Sequence, residues 1–263
     1  MILAPTLSLA RVPDRRGEIP VTEPISTNLY GWFSGDSGLL NSINPDVEAV
    51  SVNSGIRRWV NRVSGGVNAD QITAAAQPVL ILPQRNSVTY RGIRFNSGDV
   101  LLLENSTALN SSLSIYVALS AFPTGTLAGE SFIFNGSRSV IPTQPRNALY
   151  VNTSGKLTLR KSTAVASTID SSSPDNIFFG VIDSGGTGTI GKRNQGQTTR
   201  ENLTGLGTGQ GSLVTSFIGA GNTTGAIVSN IDMLELLVYT TVHTTEEQNQ
   251  IIDYLRNKYP FIA

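Results

Sequence analysis

Apolar and polar residues alternate with period two through the middle of the chain. Leu113, Ile115, Val117 and Leu119 interleave with Ser114, Tyr116, Ala118 and Ser120. Successive strand side chains point to opposite faces, so this spacing predicts a strand with one buried and one solvated face. Val88–Phe95, Val100–Leu103, Ser131–Phe134, Ala148–Val151, Lys156–Arg160 and Ile177–Asp183 behave similarly, separated by Gly, Asn, Asp and Ser. Asn135-Gly136 and Ser154-Gly155 have the residue types of tight turns, and the second predicts a hairpin joining Ala148–Val151 to Lys156–Arg160. Near the end, Asn230-Ile231-Asp232-Met233-Leu234-Glu235-Leu236-Leu237-Val238-Tyr239 reads as a buried strand. The period then changes. Ile251, Ile252, Leu255 and Tyr259 fall on one helical face, and either Thr244 with Glu247 or Thr245 with Gln248 fits a capping box. Many short strands followed by one helix, residues 244–259, predict an all-β sandwich that a terminal helix closes.

Two segments break the pattern. Residues 1–28 hold Pro5, Pro13, Pro20 and Pro24, which exclude long regular elements. They also carry Ile2, Leu3, Leu7, Leu9, Val12, Ile19, Val21 and Ile25, more aliphatics than a disordered tail normally has. An extended arm lying on a surface accounts for both facts. The expected organisation is therefore an arm over 1–28 and a jelly-roll domain over 29–263. On this view Ile2, Leu3, Leu7, Leu9, Val12, Ile19 and Val21 are the partner-binding residues. Residues 184–212 contain nine glycines and few large aliphatics, Ile190, Leu203 and Leu206. They predict a projecting loop or a loosely held hairpin.

Composition narrows the chemistry. Only 14% of residues are charged and the formal net charge is zero, which disfavours nucleic acid as a partner. There is no cysteine, so disulfides, thiolate metal sites and cysteine nucleophiles are excluded. The one histidine, His243, reads as a plain surface residue rather than a triad member. The start lacks the basic and apolar regions of a signal peptide, and no apolar run reaches membrane-spanning length. Synthesis in the cytoplasm without membrane association is the expectation. Six Asn-x-Ser/Thr sequons, at Asn105, Asn110, Asn135, Asn152, Asn202 and Asn222, read as loop composition.

The terminal block, Glu235-Leu236-Leu237-Val238-Tyr239, then Thr244-Thr245-Glu246-Glu247-Gln248, then Ile251 to Tyr259, resembles the end of concanavalin A-like, laminin-G-like jelly-roll domains. Upstream segments fit the same order: Tyr30-Gly31-Trp32-Phe33-Ser34, Trp59-Val60-Asn61-Arg62, Gly92-Ile93-Arg94-Phe95 and Phe179-Gly180-Val181-Ile182. Asn61 and Val63 depart from the family's W-D-R-S-G turn. The resemblance spans roughly residues 29–259. It implies a fold and leaves the activity open. Such jelly rolls occur on bacteriophage particles. Together with the arm, this implies a non-enzymatic virion component, a capsid decoration (cement) or tail-fibre protein, binding other virion proteins and copies of itself. A lectin-like carbohydrate-binding module is the alternative, and a glycan hydrolase or lyase is less favoured.

Individual motifs point to no cofactor. Gly186-Thr187-Gly188-Thr189-Ile190-Gly191-Lys192-Arg193 approaches a phosphate-binding loop but lacks the following helix. Asp36, Asp46, Asp70, Asp99 and Asp183 are loop carboxylates without a calcium-loop array, so no metal is expected. Asn230-Ile231-Asp232-Met233-Leu234-Glu235 is similar to the E-x-D-x-x-E strand of laminarinase-type endoglucanases. Asn230 occupies the place of the nucleophile there, which argues against retaining hydrolysis. Trp32, Trp59, Tyr90 and Tyr150 are the candidates for stacking on sugar.

Overall fold

The computed structural model describes residues 23–43, 45–104, 109, 112–122, 127, 129–137, 145–171, 176–194, 196–208, 215–220 and 231–262. Two antiparallel sheets face each other. One runs, edge to edge, Gln197–Leu203, Gly188–Asn194, Asn176–Ile182, Leu113–Ala121, Ile231–Tyr239, Gly92–Phe95 and Val79–Ile81. The strand Leu29–Ser34 also pairs with Ile231–Tyr239. The other sheet runs Ala164–Asp170, Lys156–Arg160, Pro145–Val151, Ser131–Ser137, Thr215–Ile218, Leu101–Glu104, Ala69–Asp70, Arg58–Trp59, Leu39–Ile43 and Asp46–Glu48. The all-β sandwich with one C-terminal helix is what the sequence pattern predicts.

The main core lies between the sheets. Ile115, Val117, Phe178, Leu236 and Val238 from the first meet Leu101, Leu103, Ile133, Leu149 and Leu159 from the second. A second core lies on the outer face of the first sheet. There the helix Thr245–Lys258 lays Ile251, Ile252, Tyr254 and Leu255 on Tyr116, Phe179, Leu237 and Tyr239. Every residue from Leu113 to Ser120 is consequently buried, Tyr116 completely. This corrects the expectation of a solvated outer face. Tyr116 is stacked with Phe179, an apolar environment that alternation alone does not reveal.

The helix begins where its capping residues dictate. The Thr244 hydroxyl accepts from the Glu247 amide (3.3 Å), and Glu247 accepts in return from the Thr244 amide (2.8 Å). Of the two possible boxes, the first forms, satisfying donors that the first turn leaves orphaned. Glu246 and Glu247 at the start, with Arg256 and Lys258 at the end, oppose the helix dipole favourably.

The Ser154-Gly155 hairpin forms as predicted, Ala148–Val151 pairing with Leu157–Arg160. Asn135-Gly136 is not a turn. Both residues lie inside the strand Ser131–Ser137 and pair on both sides. Within the glycine-rich region the strands Gly188–Asn194 and Gln197–Leu203 pair antiparallel in unbroken register. Its strand glycines serve close packing: a Cβ on Gly191 would run into the Phe179 ring and the Thr199 carbonyl, and one on Gly188 into the Val181 carbonyl. The arm residues Ile2, Leu3, Leu7, Leu9, Val12, Ile19 and Val21 lie outside the described residues. Ile25, in the arm's last part, packs on the helix side of the chain's own sandwich.

His243 corrects a second expectation. It is 3% exposed, with Nδ1 2.9 Å from the Tyr116 hydroxyl and its ring 4.3 Å from that of Tyr239. Burial pushes its pKa below the usual histidine range. The unfolded chain therefore takes up this proton more readily than the folded one. The neutral ring's contribution is complete above about pH 6.5 and is lost as pH falls from there through the lower folded value. We expect the urea midpoint to decline on acidification from pH 7 to 5, before the carboxylates titrate. His243→Leu should flatten that limb. An unchanged slope in the variant would show that another group governs it.

Candidate functional site

The site assembles on the free edge of Leu29–Ser34. Among the described residues that strand pairs with Ile231–Tyr239 alone, in a register that sets Trp32 opposite Leu237 and Ser34 opposite Glu235. Alternation sends Phe33 into the main core and Trp32 to the helix side. Along the free edge runs the loop after Trp59, fastened by Asn61. Its side-chain oxygen accepts from the amides of Trp32 (3.0 Å) and Val63 (3.1 Å). Its side-chain nitrogen donates to the carbonyls of Tyr30 (3.0 Å) and Val67 (3.1 Å). An aspartate could not make the last two bonds, which gives the departure from the family turn a physical reason. The Arg62 amide completes the edge by donating to the Trp32 carbonyl (2.8 Å). The loop thereby places the Arg62 guanidinium over the Trp32 ring, 4.0 Å from its centre.

Beneath Trp32 lies Glu235, fully buried. The pairing of Ile231–Tyr239 with Leu113–Ala121 slips by one residue at Leu234: Ala118 faces Glu235 while Leu119 faces Met233. Such a bulge re-aims the side chains around it. Leu234 packs in the helix-side core, and the next residue, Glu235, also bonds to the helix. One carboxylate oxygen accepts from Trp32 Nε1 (2.7 Å) and the Tyr254 hydroxyl (2.7 Å). The other accepts from Lys258 Nζ (2.6 Å) and the Tyr259 hydroxyl (2.8 Å). Four donors saturate the carboxylate. Burial, then the charge of Glu235, pushes the phenol pKa values of Tyr254 and Tyr259 far up, so both remain protonated donors. Lys258 also reaches Ser34 Oγ (2.8 Å) and Asp36 Oδ2 (2.8 Å), which links the buried acid to the surface.

Above this network opens a cleft of about 630 Å³, lined by Trp32, Asp36, Arg62, Tyr90, Tyr254 and Lys258 among others. Gly35 lets the chain turn into it. Its amide donates to the Leu234 carbonyl (2.8 Å), and a Cβ there would collide with the Arg91 carbonyl. Tyr90 follows the hairpin Gln84–Arg85/Val88–Thr89 and leans on Tyr259 and Phe261. Asn86 and Ser87, both at positive φ, turn that hairpin.

Of the four stacking candidates, the structure brings Trp32 and Tyr90 together in the cleft, each partly exposed. Trp59 and Tyr150 are buried, at 0% and 1%, and cannot stack on a ligand. Asp70 is held bidentately by Arg58, Asp99 by Asn96 and Asp183 by Thr187. No group of metal-ligating residues occurs among the described residues. The phosphate-loop resemblance ends in the strand Gly188–Asn194, not a helix. Asp232 is bound bidentately by Arg94 (2.7 Å to each oxygen), and Asn230 lies outside the described residues. Arg62, Tyr254 and Lys258 carry no sequence motif that marks them as site residues. The i, i+4 spacing of Tyr254 and Lys258 does place them on one helical face.

No protein-family model matches the chain, and no curated protein matches it in sequence. Solved structures do. A Trypanosoma rangeli sialidase matches 96% of this chain and 37% of its own, at 12% identity and TM-score 0.55. An arabinofuranosidase matches 76% and 50%, at 10% identity and TM-score 0.60. A GH54 α-L-arabinofuranosidase matches 86% and 62%, at 10% identity and TM-score 0.64. The chain thus spans from over a third to under two thirds of these proteins' length. At such identities the likeness establishes the fold, a β-sandwich shared with carbohydrate-active proteins. It corrects the expectation that the chain is no enzyme: the fold is one that glycosidases contain, so neither it nor the resemblance to particle proteins excludes catalysis. Nothing in these likenesses supports the viral setting.

Proposed function

We propose that this chain is a glycan-binding β-sandwich domain and that the cleft over Trp32 receives the sugar. The observation that carries the reading is the meeting of two partly exposed aromatic rings, Trp32 and Tyr90, with Asp36 and Arg62 in one open cleft. Aromatic faces pack against the C–H faces of a sugar ring, and flanking polar groups fix its hydroxyls. A cleft of about 630 Å³ suits a ligand of a few sugar rings. The likeness to sialidase and arabinofuranosidase structures adds support, because both named activities concern glycans.

Arg62 lies on the ring face that a sugar would use. A cation–π contact at an exposed site is worth about 0.5–1 kcal/mol, so a ligand can displace it at small cost. The test is a glycan array followed by titration of tryptophan fluorescence on the best binders. Tyr90→Ala and Trp32→Ala should each weaken binding at least tenfold, about 1.4 kcal/mol. Thermal melts would confirm that both variants fold. Full binding by both folded variants would place the sugar elsewhere.

A further inference from the structure

We infer that the cleft selects uncharged glycans over carboxylated ones and that Asp36 is the discriminating residue. The inference rests on the glycan-binding function proposed for this cleft and follows from how the cleft's charges are already engaged. Three carboxylates, Glu23, Asp36 and Glu235, stand in or directly beneath it, against two cations, Arg62 and Lys258. The formal balance is one negative charge.

The two cations are not equally available. Lys258 is 9% exposed, donates to Glu235 and Ser34, and is ion-paired with Asp36 at 2.8 Å. Two carboxylates already surround its charge, which leaves little of it for a ligand anion. Arg62 remains, its guanidinium carbon 4.0 Å from the centre of the Trp32 ring. To bind a ligand carboxylate it would have to stay at the ring and cover it. To free the ring it would have to swing away. A carboxylated sugar therefore cannot use the stacking face and the guanidinium in their present places together. Asp36 presents the opposite chemistry. Its side chain is half exposed at the cleft and binds Lys258 through Oδ2, which leaves Oδ1 as an acceptor for a ligand. A carboxylate oxygen accepting from a sugar hydroxyl makes a charge-assisted bond, whereas the same oxygen repels a ligand carboxylate. Glu23 at the rim acts in the same sense.

One uncompensated like charge within about 10 Å near a protein surface corresponds to roughly tenfold in affinity. The experiment uses an array of matched pairs, each a neutral oligosaccharide beside its counterpart with a hexose replaced by the hexuronic acid. Neutral members should bind at least tenfold more tightly. The gap should narrow as salt is raised, because exposed charges are screened. In Asp36→Asn the acidic members should approach the neutral ones. Lys258 keeps Glu235 and Ser34 in that variant, so its fold should be retained, and Glu23→Gln offers a second test of the same charge balance. Equal or tighter binding of the acidic members would overturn the selectivity alone, as would a gap unchanged in both variants. Silence across the whole array would instead remove the glycan function, and this inference with it.

Discussion

A chain ending at His243 is expected to be insoluble. The missing segment, residues 244–263, is the cover of the second core, not an appendage. Without it Tyr116, Phe179, Leu237 and Tyr239 would lie bare on one sheet face, beside Ala118 and Ile177. Contiguous apolar patches beyond a few hundred Å² are rare on soluble monomers and promote association. The truncation would also strip Glu235 of three of its four donors, Tyr254, Lys258 and Tyr259, and so leave its charge uncompensated. Expression with and without the segment, followed by fractionation and urea melts, checks this. A soluble, cooperatively melting truncation would show that the sandwich between the sheets suffices and that the helix is an attached element.

Glu235→Ala is expected to be the most damaging single substitution in the site. Breaking a buried ion pair by removing one partner costs about 3–5 kcal/mol, because the remaining charge keeps its desolvation penalty. In this variant Lys258 would remain, 9% exposed, with only Ser34 and Asp36 for its hydrogens. Trp32 Nε1 and the Tyr254 hydroxyl would lose their acceptor as well, and the Tyr259 hydroxyl would keep only the Leu234 carbonyl at 3.3 Å. Glu235→Gln should cost less, since its amide oxygen still accepts, but its NH2 group must face donors. Glu235→Ala combined with Lys258→Met should recover part of the loss by removing the stranded cation. Chemical denaturation of wild type, both single variants and the double variant provides the thermodynamic cycle. Equal stability of wild type and Glu235→Ala would mean that water replaces the carboxylate, contrary to its complete burial. Because Trp32, Tyr254, Lys258 and Tyr259 all line the cleft and all bond to Glu235, the same substitution should also weaken ligand binding. Glu235 therefore acts as a positioning residue: it orients the cleft's lining from below.

Much of the fold is legible in the sequence because its signals are local. Period-two alternation identifies the central strands. The Ser154-Gly155 turn specifies the hairpin, and the apolar stripe with its Thr244–Glu247 cap specifies the helix. The departures share one cause. Local pattern assigns Tyr116 and His243 to solvent because nothing nearby in sequence covers them. The cover is the terminal helix for Tyr116, and for His243 a pocket it shares with Tyr116 and Tyr239. Asn135-Gly136 has turn residues but is held extended by strands on both sides, a case of tertiary pairing overriding local preference. Glycine content suggests a loose hairpin when it is taken as conformational freedom. In the structure the strand glycines Gly188 and Gly191 permit close approach instead, while Gly196 and Gly205 do supply positive φ.

For the site the division is sharper. Residue types alone nominate Trp32 and Tyr90 together with Trp59 and Tyr150, and cannot separate exposed rings from buried ones. The sequence by itself determined an all-β sandwich with a capped terminal helix, because hydrophobic period and capping chemistry act over a few residues. Tertiary structure alone decided that Arg62 lies on Trp32 and that Asp36, Tyr90 and Lys258 share one cleft. It alone turned a strand glutamate into the buried acceptor of four donors. These relations join residues up to some two hundred positions apart, through strand pairing and a bulge at Leu234 that no local pattern records.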